Sequence, residues 1–293
     1  MMAGKRRGRP APWRVEFARR KYGPELLIDA AMLSAMPAFK ASPDPHALAF
    51  VDILLVTKGR GWFELDGARH AVSPGLLLIT RPGQVRRWNV SGLDGACVFF
   101  TREFLRDAFA DARFLDQFTF FGAFRPSAAM ELTANERTQF LRRFRRMSEE
   151  LASPRDDASE LLRARLYELL VLLNRWYRQR HPRAKTSSRN STVERFREMV
   201  DRDFRHRHRV SDYAARVGIS PGHLNVLCAA HLGHSASAEI HQRLLLEAKR
   251  LLRYTDKAAF VVAQDLGFAD PAYFGRFFRR GTNATPRSYR NSG

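Results

Sequence analysis

Three arginines near the end of the chain, Arg276, Arg279 and Arg280, stand three and four residues apart within PAYFGRFFRR and share one side of a helical wheel with Ala272 and Gly275. Guanidinium groups on so slim a face suit a definite chemistry. They can bind guanine O6 and N7 in a bidentate pair and make charge-assisted bonds to phosphate oxygens. The opposite side carries Tyr273, Phe274, Phe277 and Phe278, which the spacing predicts to be the buried face.

The elements that must position these groups are legible in the flanks. Asp270 is a good N-cap, and Pro271 fits a first helical turn that needs no amide donor. Upstream, Phe260, Val261, Ala263 and Leu266 recur at helical spacing until Gly267 breaks the pattern. Residues 260–289 therefore read as helix, tight turn, helix and a short closing helix, the second helix having the character of one that enters a DNA major groove.

The arrangement occurs a second time. In residues 210–233, Val210, Tyr213, Ala214 and Val217 form a core stripe behind Ser211 as N-cap; Gly218 ends that helix, and Ser220 with Pro221 starts the next. Between the copies, residues 237–254 carry Ile240, Leu244, Leu245, Ala248, Leu251 and Leu252 at spacings of three and four, a long amphipathic spacer. An ordinary helical bundle also explains such stripes. Two units in tandem, followed by a Thr285-Pro286 cap and an Arg287/Arg290 tail, favour contact with two successive major-groove segments of double-stranded DNA. The contact set expected on this reading is Gly222, Asn225, Val226, Ala272, Gly275, Arg276 and Arg279. Arg276 lies at its centre, Asn225 is suited to adenine, and Gly222 and Ala272 permit close approach.

RLLLEAKRLL, LGFADPAYFGRFFRR and TPRSYR together resemble the signature of the AraC/XylS family of bacterial transcription regulators, over the last third of the chain. Within that family, HLNVLCAAHLGHSASAEIHQRLL is similar to activators of aromatic-acid catabolism, of the kind that control 4-hydroxybenzoate or 4-hydroxyphenylacetate use. The resemblance implies a homodimer that binds a small effector, contacts RNA polymerase and activates transcription. Four positions depart from the family pattern. Asn283 replaces a usual Gly, which a left-handed backbone tolerates; Val226 replaces a commonly basic residue; and Cys228-Ala229 replaces a Phe-Lys pair. Direct base reading by the first unit is therefore in doubt.

The 293 residues leave room for two domains, and 45% hydrophobic content with 22 Phe supplies two cores. A formal charge of +20 favours a polyanionic partner without saying which. Residues 192–293 hold 17 Lys and Arg against 10 Asp and Glu, a surplus of only seven, so pattern rather than charge carries the DNA reading. Cys97 and Cys228 sit in apolar runs and form no motif, as befits buried free thiols. No apolar stretch reaches membrane-span length and no signal peptide is evident, which favours a cytoplasmic protein.

The expected organisation is α+β in two domains. A basic tail, residues 1–13, precedes a cupin-like effector-binding and dimerisation domain, 14–177; a linker, 178–192, precedes the DNA-binding domain, 193–293. The tail is expected to be disordered; its Arg7-Gly8-Arg9-Pro10 matches an AT-hook core, but four residues recur often by chance and a solvated tail is the better reading. Residues 14–39 read as an opening strand and arm. AFVDILLVT, GWFELDG, ARHAVSPG, LLLITRPG, VRRWNV and ACVFFT then read as separate short strands of a sandwich or small barrel. The metal-binding histidine pair of cupin enzymes has no counterpart at Phe50-Val51-Asp52, and Arg86 stands where a later histidine often does. Neither a metal, nor a cofactor, nor a catalytic residue is assigned.

Arg86 and Trp88, with Trp62, would suit a carboxylate joined to an aromatic ring, by ion pair and stacking; equally, that face could be the outer one. His46 and His70 are open between a place at the barrel mouth and a structural role. Thr133 and Glu136 predict a capping box before a helix running through Leu151. Leu161, Leu162, Leu166, Leu169, Leu170, Leu172 and Leu173 cover more of the next helix than one packing face needs, so subunit pairing or burial on both sides is expected. Two rival readings stay open: a cupin enzyme fused to a DNA-targeting domain, and a nucleoid-coating protein without sequence choice.

Overall fold

Two strands, β4 (Val51–Leu65) and β7 (Val85–Phe100), run through the places where the sequence suggests chain reversals. AFVDILLVT and GWFELDG belong to the first, and VRRWNV and ACVFFT to the second. In a computed structural model describing residues 12–18, 21–22, 26–36, 44–106, 115, 118–121, 128–181 and 191–291, β4 pairs with β7 from Val51↔Phe100 to Leu65↔Arg86. The register shifts twice, between Val56 and Lys58 and between Lys58 and Arg60. The shifts exchange the two faces, so Leu54 and Val56 before them and Phe63 and Leu65 after them join one core. Gly61 makes the bend possible: its φ is 152°, and a Cβ there would lie 2.1 Å from the Asn89 carbonyl oxygen. Glycine here bends a strand instead of ending it.

Around this pair stand β1 (Trp13–Val15), β2 (Ile28–Met32), β3 (His46–Leu48), β5 (Ala68–Val72), β6 (Leu76–Thr80) and β8 (Ala128–Glu131). The strand order is β1-β3-β7-β4-β6-β8, with β2 added on β7 and β5 on β4. Among the described residues the pairings run from β1 to β8 without returning, so the cupin-like architecture is an open, bent sheet and not a closed barrel. One face buries Phe50, Leu54, Phe63, Trp88, Cys97 and Phe99. The other buries Ile53, Leu77, Val98 and Phe100 in a core completed by the helices.

Those helices are α1 (Arg102–Arg106), α2 (Ala134–Ala152) and α3 (Ala158–Arg180). The capping box forms as its spacing predicts: Glu136 N donates to Thr133 Oγ1 at 3.3 Å and Thr133 N to Glu136 Oε2 at 2.7 Å. On α3, Leu162, Leu166, Leu169, Leu170 and Leu173 are fully buried against this unit, while Leu161 is 37% exposed. Most of the apolar surplus on α3 is thus consumed within the unit itself.

The described residues fall into two compact units, one within Pro12–Thr186 and one within Ser187–Gly293. The second is all helical: α4 (Ser191–Asp203), α5 (Val210–Val217), α6 (Pro221–Leu232), α7 (Ala236–Tyr254), α8 (Ala259–Asp265), α9 (Pro271–Thr282) and α10 (Pro286–Asn291). The basic tail with its Arg-Gly-Arg, and most of the linker, lie outside the described residues.

Candidate nucleic-acid interface

Each helix pair is set by its caps. Ser220 Oγ accepts from His223 N at 3.1 Å to begin α6, and Asp270 accepts from Ala272 N at 2.7 Å and Tyr273 N at 3.1 Å to begin α9. Ser211 does not cap α5, which starts one residue earlier and places Ser211 inside its first turn. Asn283 ends α9 in the left-handed conformation, φ 57°, its N–H donating to Arg279 O at 2.8 Å. The turn between α8 and α9 needs glycine for a second reason besides its φ of 75°. A Cβ on Gly267 would lie 2.0 Å from the Arg205 carbonyl oxygen, in the segment joining α4 to α5. His208 Nε2 reaches Leu266 O at 2.9 Å beside it, so that segment seats the second turn.

From Pro221 to Ala230 and from Pro271 to Arg280 the succession of exposed, half-buried and buried residues is the same at every position. Leu224 and Cys228 in α6, and Phe274 and Phe278 in α9, are the inward anchors. Outward, α6 presents Gly222, His223, Val226, Ala229 and Ala230; α9 presents Ala272, Tyr273, Arg276, Arg279 and Arg280. Val226 is 63% exposed and the Arg276 side chain 66% exposed, at equivalent positions. Gly275, expected on the contact face, is half-buried, as is its equivalent Asn225.

Asn225, expected to suit adenine, has its Oδ1 accepting from Ala236 N at 3.0 Å at the start of α7. One expectation is corrected. Tyr273 is 53% exposed rather than part of the buried face. It occupies the position of His223, one residue before the inward anchor, and the offset between the two copies is the signal that could have placed it. On the same surface the Arg276 guanidinium lies 5.9 Å from the Tyr273 ring and 3.6 Å from the Asp270 carboxylate. The residue that caps α9 therefore also faces its central arginine.

Behind the reading helices, Glu239 on α7 is 1% exposed and meets Arg197 at 2.8 Å and His234 at 2.5 Å, tying α4 and the α6–α7 corner together. Burial pushes the Cys228 thiol up to about 12, and raises that of Cys97 well above its ordinary range.

The residues expected to hold an effector do not form one site. Arg86 is 1% exposed, with its guanidinium paired to Asp52 and its Nε donating to His46 Nε2 at 3.0 Å. It is neither solvated nor open to a second carboxylate. His46 is held neutral, its pKa lowered to about 4 by burial and then by the Arg86 charge. Trp88 packs on Phe63 with ring centroids 4.2 Å apart, on the same buried face. Trp62 lies on the opposite face of β4, with the Arg69 and Arg87 guanidiniums 4.3 and 5.4 Å from its ring. Among the described residues no group of three His, Cys, Asp or Glu is placed to hold a metal ion, and no helix is long and apolar enough to cross a membrane.

Paired helix-turn-helix units with an outward arginine face define a DNA-binding protein. Residues 213–292 match a family described as a helix-turn-helix domain, and residues 37–170 match the AraC-like ligand binding domain. The regulatory protein SoxS of Salmonella typhimurium is 35% identical over 78 residues, which are 27% of this chain and 73% of SoxS. The regulatory protein PocR of the same organism is 30% identical over 82 residues, 28% of this chain. The chain spans only 27% of PocR's length. Among solved structures, ToxT from Vibrio cholerae aligns with 89% of this chain and 96% of its own at 11% identity and a TM-score of 0.41, a likeness too weak to argue from. The chain belongs to the AraC family of transcriptional regulators, with a ligand-binding N-terminal domain and a DNA-binding C-terminal one. Its relatives are regulators rather than enzymes.

Proposed function

We propose that this protein is a sequence-specific regulator in which α9 is the dominant base-reading helix and α6 mainly positions the protein on the DNA backbone. The observation that carries the reading is the shared burial pattern of the two helices, which places Arg276 where α6 has Val226 and Arg279 where α6 has Ala229. On an equivalent surface, one helix offers guanidinium groups for bases and phosphates and the other offers small apolar side chains. Arg276 is the residue proposed to take guanine O6 and N7 together. Gly222, Ala272 and Arg279 complete the contact surface, the first two by allowing close approach.

In this proposal the N-terminal domain binds a small acidic effector of the aromatic-acid type, and binding shifts the population of the form that engages DNA. Homodimerisation through the exposed edge of α3, around Leu161, and activation through RNA polymerase complete the scheme. The first draws support from the residual apolar exposure of α3, the second from the family alone. The domain limits 14–177 and 193–293 belong to the proposal also.

The test is a binding titration of wild type and Arg276→Ala against operator and competitor DNA at physiological salt, after genome-wide mapping of bound sites has supplied the operator. Equal loss on both DNAs, or no loss on either, would remove Arg276 as base reader. Wild-type affinities that do not differ between the two DNAs would favour a nucleoid-coating protein, whose binding is essentially electrostatic.

A further inference from the structure

The N-terminal unit holds a cleft of about 390 Å³ on the helix-covered side of its sheet, between β4, the turn leading into β6 and the start of α2. That volume lies in the lower part of the range of small-molecule sites. The walls are of two kinds. Leu55, Pro74 and Leu141 make an apolar slot, and Thr57 with Arg137 contributes polar groups.

Arg137 stands apart from the cations around it. Arg143 pairs with Glu168, Arg165 with Glu150 and Arg180 with Glu136, all on α2 and α3. Among the described residues no carboxylate pairs with Arg137. Glu136, its sequence neighbour, is already held by Arg180 at 2.5 Å and by the capping box. The Arg137 side chain lies across Gly75, where an added Cβ would come within 3.3 Å of its Cδ and 3.4 Å of its Nη1; the missing side chain leaves it room. In the same wall the Thr57 hydroxyl is buried without a hydrogen-bond partner among the described residues. Ala134, the first residue of α2, adds the positive end of a helix of 19 residues. An unpaired guanidinium, an unsatisfied hydroxyl and a helix N-terminus around an apolar slot are complementary to a small organic anion.

We infer that this cleft, and not the Arg86 side of the sheet, takes the effector, and that the effector is a monocarboxylate with a compact apolar body. Its carboxylate would pair with Arg137, and its apolar part would fill the slot formed by Leu55, Pro74 and Leu141. Arg86 is excluded from this role because Asp52 already meets its charge. The inference rests on the reading of this domain as a ligand-binding one.

Thermal-shift and calorimetric titrations of the full-length protein test it, with benzoate, phenylacetate and hexanoate as probes at millimolar concentration. Benzamide, phenol and neutral sugars serve as uncharged controls. At least one carboxylate is expected to bind wild type, with Kd raised tenfold or more in Arg137→Gln, partly recovered in Arg137→Lys, and raised less in Thr57→Val. All three variants tolerate the change at the level of folding if their melting temperatures without ligand match wild type. Carboxylate binding undiminished in Arg137→Gln would overturn the site. Binding of only uncharged compounds, unchanged by Arg137→Gln, would overturn it while leaving a ligand-binding domain in place. No response to any compound would overturn the inference and count against the ligand-binding reading as well.

Discussion

Helices α6 and α9 are built on one packing plan and furnished with different surfaces. Position for position over ten residues their burial agrees, from Pro221 and Pro271 onward, and both begin at a side-chain cap followed by proline. The inward residues differ in bulk, Leu224 and Cys228 against Phe274 and Phe278, and the outward residues differ in charge, Val226, Ala229 and Ala230 against Arg276, Arg279 and Arg280. The frame that holds such a helix is therefore separable from the side chains on its outer face. One helix keeps the burial pattern of the other with no Lys or Arg among its exposed residues.

The largest expected effect lies in the cores beneath the two faces. Phe278→Ala removes a ring that is 0% exposed and should cost about 3–5 kcal/mol of stability, whereas Cys228→Ala at the equivalent position should cost about 1 kcal/mol. Urea denaturation of both variants measures the difference; equal costs would mean the two anchors do not play equivalent parts. Next in size, Arg276→Ala should lose about 1–3 kcal/mol on operator DNA and little on competitor DNA, while Val226→Ala should change neither appreciably. A larger loss for Val226→Ala, read in the same titrations, would invert the assignment of the dominant helix.

Removing the caps compares the frames themselves. Asp270→Ala and Ser220→Ala should each cost about 1 kcal/mol by thermal denaturation. The Asp270 variant should lose somewhat more, since its carboxylate accepts two backbone N–H groups where Ser220 accepts one. Smallest of all, Val226→Arg should give α6 a phosphate contact without changing stability. The slope of log K against log salt should steepen by about 0.9. An unchanged slope would show that this face of α6 does not approach the backbone.

The starts of the helices are legible in the sequence. Ser220-Pro221, Asp270-Pro271 and the Thr133-Glu136 box act within one helical turn, so residue type and spacing suffice to find them. Tyr273 departs from the predicted buried face because apolar spacing on a wheel marks a stripe but not its edge. The rings of Phe268 and Phe274 that bound the core come from the neighbouring turn and from α9 itself. The hydrogen bond from Ala236 N to Asn225 has no local signal, since it crosses the corner to the next helix. In the β domain, GWFELDG and ACVFFT read as strands but not as halves of longer ones, since glycine marks a bend and a turn with the same letter. Arg137 carried no sequence signal at all: its cleft is made by a strand, a turn and a helix that are distant in the chain.

By itself, the sequence determined the tandem helix-turn-helix frame, the outward arginines of α9 and the β-then-α order of the N-terminal domain. Each of these rests on periodicity and capping between residues a few positions apart. Only the tertiary structure decided which charges are spent. Arg86 is consumed by Asp52 and Glu136 by Arg180, whereas Arg276 keeps an exposed face and Arg137 an open cleft. Whether a charged side chain is available depends on partners that long-range packing brings to it, and no local pattern records them.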